Sequence, residues 1–95
     1  MLTDREVAML KKYIFFYLMK NESEKIPMLV PKHVKYWEEN KSVDSSGGPF
    51  GDRSGGLILF EAEEMNAAKT LAMNDPFVLE QVIERKWVKE WMQEQ

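Results

Sequence analysis

The sequence contains no cysteine and a single histidine, His33, among its 95 residues. The first absence removes disulfides, thiolate nucleophiles and cysteine-based metal sites. The second makes a multi-histidine metal centre impossible within one chain. No apolar run approaches the roughly 18 residues that a membrane-spanning helix needs. The amino terminus, Met1-Leu2-Thr3-Asp4-Arg5-Glu6, lacks the basic-then-apolar order of an export signal. Together these features predict a cytoplasmic protein with no membrane partner. Positive charge is in deficit, with 13 Lys and Arg against 16 Asp and Glu and a net charge of −3. Nucleic-acid binding needs the opposite balance.

Glycine is scarce and confined. All five glycines lie between Gly47 and Gly56. Glycine is required where the backbone takes positive φ, or where another group approaches the main chain closely. The segment Ser46-Gly47-Gly48-Pro49-Phe50-Gly51-Asp52-Arg53-Ser54-Gly55-Gly56 therefore reads as a bent, tightly approached loop. It is either an elaborate hairpin turn or one wall of a small-molecule site. No Lys-Ser/Thr follows the glycines, so the phosphate-cradling pattern is not met.

What remains is a single domain, residues 1–95, with an N-terminal arm over 1–10. Thr3 and Glu6 have capping-box spacing, which predicts a short helix over residues 2–10. Tyr13 to Met19 is an uninterrupted apolar and aromatic run, the mark of a strand buried on both faces. Asn21 to Lys25 reads as a loop. Pro31 suits a first helical turn, so a helix is expected from there to about Lys41, with Val30, Val34 and Trp37 inward. Ser42 to Ser46 is a weak strand candidate, and Leu57 to Phe60 a buried strand. A second helix is expected over Glu63 to Asn74, with Met65, Ala68, Leu71 and Ala72 inward. Asp75-Pro76-Phe77 forces a corner. Val82 to Met92 reads as a final strand of period two, with Ile83, Trp87 and Trp91 on one face.

The order is strand, helix, strand, strand, helix, strand. This is the ferredoxin-like βαββαβ arrangement, an α+β fold with a four-stranded antiparallel sheet and two helices on one face. Strands that are apolar on both sides leave the other face needing cover. A second copy, packed sheet to sheet, is the expected partner.

The run Gly47-Gly48-Pro49-Phe50-Gly51-Asp52, then Gly55 to Ala62, Ala67-Ala68-Lys69, Asn74-Asp75-Pro76-Phe77 and finally Trp91, resembles the YciI-like (YCII-related) domain family. The resemblance covers roughly residues 12–92. It implies a dimeric α/β-barrel made of two ferredoxin-like protomers and an active site with a His–Asp pair. By motif position that pair falls on His33 and Asp75. The wider superfamily includes isomerases, monooxygenases and lyases of small molecules, and relatives acting on chlorinated aromatics. Three features depart from the family pattern: the N-terminal arm, the polar segment 42–46, and the missing glycine in 78–82. They bear on substrate more than on fold.

An imidazole can take and return a proton near neutral pH. A carboxylate on its other nitrogen fixes the tautomer and stabilises the protonated ring. His33 and Asp75 are thus the candidate catalytic pair. An ordinary helix histidine and a turn-capping aspartate are the competing readings. The candidate substrate-binding residues are Tyr36, Trp37, Gly48, Pro49, Phe50, Gly51 and Phe77. Tyr36 is the best guess for a second titratable group, and Phe50 is either a pocket wall or a core plug. No metal and no cofactor are expected. The functional expectation is an isomerase- or lyase-type enzyme acting on a small cyclic or carboxylated compound. The alternative is a non-catalytic dimeric module that binds a ligand or assists another protein.

Overall fold

The computed structural model describes residues 3, 10–21, 24–40, 42 and 45–94. The helix expected over 2–10 lies almost wholly outside the described residues. Four strands, β1 (Lys11–Met19), β2 (Ser46–Pro49), β3 (Gly55–Ala62) and β4 (Ile83–Glu90), form one antiparallel sheet of order β2-β3-β1-β4. The helices are α1 (Lys25–Glu39), α2 (Met65–Met73) and the single turn α3 (Pro76–Leu79). This is the expected ferredoxin-like α+β fold.

β1 is one of the two central strands, and every second residue over Tyr13–Tyr17 buries an aromatic ring. Tyr13, Phe15 and Tyr17 lie under the helices with Ile58 and Phe60 of β3. The alternate residues Ile14, Phe16 and Leu18 are half-buried on the open face, beside Leu57 and Leu59. α2 approaches the sheet closely because its inner residues Ala68 and Ala72 are alanines, both fully buried. Its start is fixed by Glu64, whose carboxylate accepts from the Asn66 and Ala67 N–H groups at 2.9 and 2.7 Å.

Four local expectations need correction. α1 begins at Lys25, six residues before Pro31, and the segment read as a loop ends at its start. Pro27 sits in the first turn, where the missing N–H costs nothing, and Pro31 is carried inside the helix. The buried stripe of α1 is Leu29, His33 and Trp37, whereas Val30 and Val34 are exposed. Both stripes have helical spacing, and Asp75 draws the one containing the histidine inward. The second strand is Ser46–Pro49, inside the glycine segment rather than before it. Finally, a β-bulge between Leu18 and Met19 shifts the register with β4. Ile83 consequently joins the core, while Trp87 lies on the open face against Phe16, their ring centroids 5.1 Å apart.

The glycine segment is a hairpin, and its glycines are not there for unusual dihedrals. No described glycine has positive φ; Arg53, at 63°, takes the left-handed turn position instead. The turn closes through Phe50 N–H to Gly55 O at 2.8 Å and Arg53 N–H to Phe50 O at 2.9 Å. Asp52 accepts from the hydroxyl and the N–H of Ser54, which hold its carboxyl below the ordinary range. Close approach is what demands glycine at Gly55 and Gly56. A Cβ on Gly55 would overlap the Tyr17 carbonyl oxygen, and one on Gly56 would lie 2.5 Å from the Tyr17 hydroxyl.

Candidate active site

Two elements far apart in sequence deliver the two candidate catalytic groups. α1 turns His33 towards the sheet, and the turn before α3 delivers Asp75, which is wholly buried. Asp75 caps α3, its Oδ1 accepting from the Phe77 N–H at 2.8 Å. Its Oδ2 accepts from the indole N–H of Trp37 at 2.7 Å. His33 Nδ1 is 2.8 and 2.9 Å from the two oxygens. A carboxylate only accepts, so Nδ1 carries the proton and donates it. The ring is held by stacking as well. Phe77 lies parallel to it at 4.0 Å and 11°.

This leaves Nε2 as the acceptor nitrogen. It faces the hydroxyl of Tyr17 at 3.5 Å, the long limit of a hydrogen bond. Burial, and then the Asp75 carboxylate, push the Tyr17 phenol above its ordinary value. It therefore stays protonated and donates. Tyr17 was absent from the sequence candidates. It sits in a seven-residue apolar run, where an aromatic reads as core. The alternating burial of that run puts it on the same side of the sheet as His33.

The other candidates divide between two places. Trp37 and Phe77 touch the His–Asp pair directly, one through Asp75 and the other through the imidazole ring. Tyr36 is turned away; its hydroxyl donates to Leu71 O at 2.6 Å, and it lines a groove of about 810 Å³ beside α2. Burial and then Asp75 raise its phenol also. Gly48, Pro49 and Gly51 are exposed along the hairpin. Phe50 packs on Phe16 at 5.3 Å, at the open face of the sheet. A second cavity of about 210 Å³ is bounded by Lys69, Met73, Lys86, Trp87 and Val88. Neither cavity is lined by His33 or Asp75. His33 reaches solvent through about a tenth of its side-chain surface. Among the described residues no three His, Asp or Glu side chains gather as metal ligands.

The profile of the YCII-related domain matches residues 10–92. No curated protein matches the sequence. Among solved structures, the chain is similar to 5-chloro-2-hydroxyhydroquinone dehydrochlorinase (TftG) from Burkholderia phenoliruptrix AC1100, in complex with 2,5-dihydroxybenzoquinone. The TM-score is 0.72 at 20% identity, covering 87% of this chain and 95% of that one. At that identity the likeness speaks for the shared fold.

Proposed function

The chain belongs to the YCII-related domain family, and from that premise we propose that it is a small-molecule enzyme using His33 and Asp75 for proton transfer. The substrate class is a small cyclic or carboxylated organic compound. His33 Nε2 removes a proton from a carbon next to a carbonyl. The electron pair then moves towards the carbonyl oxygen. Return of the proton to another carbon gives isomerisation, and loss of a leaving group gives elimination. Asp75 holds the Nδ1 proton and stabilises the imidazolium that forms. A positioned general base of this kind contributes roughly 10²–10⁴-fold in rate. The observation that carries the reading is the 2.8 Å contact from Nδ1 to a buried carboxylate, which leaves Nε2 pointing elsewhere. The dehydrochlorinase supports it: that neighbour of the same fold is a lyase-type enzyme holding a small ring compound.

The chain is further proposed to act in the cytoplasm as a homodimer joined through the open face of its sheet. What supports the dimer is the half-buried row Ile14, Phe16, Leu18, Leu57 and Leu59 with Trp87 beside it. No described helix is long and apolar enough to cross a membrane.

One observation favours a second reading, a non-catalytic dimeric module that binds a ligand or assists another protein. The His–Asp pair is nearly closed off, and neither cavity adjoins it. Replacing His33 by Asn separates the two. Thermal melts against small acids, lactones and phenols identify a ligand, and turnover of that ligand is then followed. The enzyme reading expects H33N to stay folded, to keep its ligand and to lose at least about a hundredfold in rate. A variant that keeps its ligand when the wild type shows no turnover supports the module. A variant that fails to fold makes His33 a core residue and removes the case for catalysis.

A further inference from the structure

We infer that Tyr17 is a catalytic residue of this site, the neutral donor that holds the substrate oxygen on which charge develops while His33 takes the proton. The inference deepens the reading of His33 and Asp75 as a proton-transfer pair and rests on it.

A base alone does half the work of removing a proton next to a carbonyl. The electrons released collect on the carbonyl oxygen, and a preorganised donor must meet them there. Among the described residues the Tyr17 hydroxyl is the group of that kind facing Nε2. The Tyr17 hydroxyl faces Nε2 at 3.5 Å, so in the resting protein donor and base face each other. That separation is long for a hydrogen bond between them. A carbon–oxygen unit bound across the pair meets both groups, its oxygen accepting from Tyr17 and its adjacent C–H directed at Nε2. The C–H bond breaks and an N–H bond forms at Nε2. The electron pair of the C–H bond becomes the C=C of an enolate, and the charge rests on the oxygen. Tyr17 does not give up its proton. Burial and Asp75 both keep the phenol neutral, which a lasting donor requires.

The surrounding fold is shaped around this hydroxyl. Tyr17 and Gly56 are directly opposed across β1 and β3. The phenol ring crosses the space a side chain at position 56 would fill. A Cβ there would lie 2.5 Å from the hydroxyl oxygen and 2.8 Å from its ring carbon. Phe77 meets the Tyr17 ring edge-on at a centroid distance of 6.0 Å, and the same Phe77 stacks on His33. One aromatic residue therefore sets both partners. Beyond Gly56 lies β2, Ser46–Pro49, exposed along its length and bearing no large side chain.

4-Nitrophenol is a suitable probe, because transfer of its proton to Nε2 yields a coloured phenolate whose oxygen needs the same donor. At a pH just below the free phenol's own midpoint, wild-type protein is expected to bind it and to raise its ionised fraction. H33N is expected to lose that increase. Tyr17→Phe keeps the ring and its packing, so its melt checks the fold. Its bound phenol is expected to have an ionisation constant about tenfold less favourable, one pKa unit. If Tyr17→Phe ionises the probe as the wild type does, the role of Tyr17 is overturned and the His–Asp reading stands. If the wild type does not bind the probe, or H33N ionises it equally well, the proton-transfer reading falls and this inference with it. Should Tyr17→Phe not fold, 3-fluorotyrosine at position 17 replaces it. With fluorotyrosine, a more acidic donor, bound phenolate is expected to increase, and an unchanged fraction overturns the inference.

Discussion

Burial, and behind it the Asp75 carboxylate, raise the Tyr17 phenol above the tyrosine value of 10.0. A raised pKa means that the folded chain keeps a proton which the unfolded chain releases first. Below about pH 10 both forms are protonated and the stabilisation is complete. Above it the unfolded chain loses the proton and stability falls with pH. The limit is about 1.4 kcal/mol per pH unit for each such group. Tyr17→Phe is therefore expected to flatten the alkaline limb of unfolding free energy measured in urea between about pH 8 and 11. Tyr36, also raised, keeps part of the slope. An unchanged limb would show that the hydroxyl titrates alike in both states. At this scale the pairing of His33 with Asp75 was legible through the family resemblance, because an imidazole on a helix and an aspartate before proline by themselves read equally as ordinary structural residues. The sequence concealed Tyr17 because a phenol inside an aromatic strand carries no mark of a polar partner. It also offered Tyr36, one residue from Trp37, which the helix turns towards α2 and Leu71 instead.

Elements were legible where the pattern had one solution. The run Tyr13–Met19 is the strand it reads as, though only its Tyr13, Phe15 and Tyr17 side is buried and its other side is half-buried, and the buried alanines of α2 give the expected close approach to the sheet. α1 was displaced because two rules competed. Pro31 marks a helix start by propensity, but Pro27 marks one too, and the earlier proline has the vacant N–H positions of the first turn. The bulge before Met19 could not be read from alternation, since the extra residue lies on β4 while its cause is pairing with β1. The glycine segment shows most clearly what pairing adds. Composition pointed to a bend, yet Gly56 is required by a side chain two strands earlier in the chain. Gly56→Ala is accordingly expected to cost about 1–3 kcal/mol in urea unfolding, as an overpacked site does. Gly48→Ala, in the neighbouring strand, meets nothing within 4 Å and is expected to change stability by no more than about 0.5 kcal/mol. Equal costs at the two positions would mean that Tyr17 does not occupy the space above Gly56.

A lone sheet with helices on one side leaves its other side to water, and here that side is aromatic. Phe16 stands between Phe50 and Trp87, at 5.3 and 5.1 Å, and Trp87 remains 38% exposed. An apolar patch of this kind on a single chain is costly unless another surface covers it. The self-association proposed above would remove it with one two-fold operation, because the same patch would meet its own copy. Interface centres draw their affinity from a few aromatic anchors, each worth about 2 kcal/mol or more. Trp87 is the anchor to test because its replacement leaves the monomer's helix-covered core intact. Trp87→Glu places a charge against its own copy, and the dissociation constant is expected to rise at least about 30-fold. Sedimentation equilibrium of wild type and variant over a concentration series measures it, with thermal melts at low concentration showing that each chain remains folded. A wild type that sediments as a single chain throughout would leave the aromatic face solvated, and would remove the dimer from the account while leaving the His33–Asp75–Tyr17 arrangement, which lies on the opposite side of the sheet, untouched.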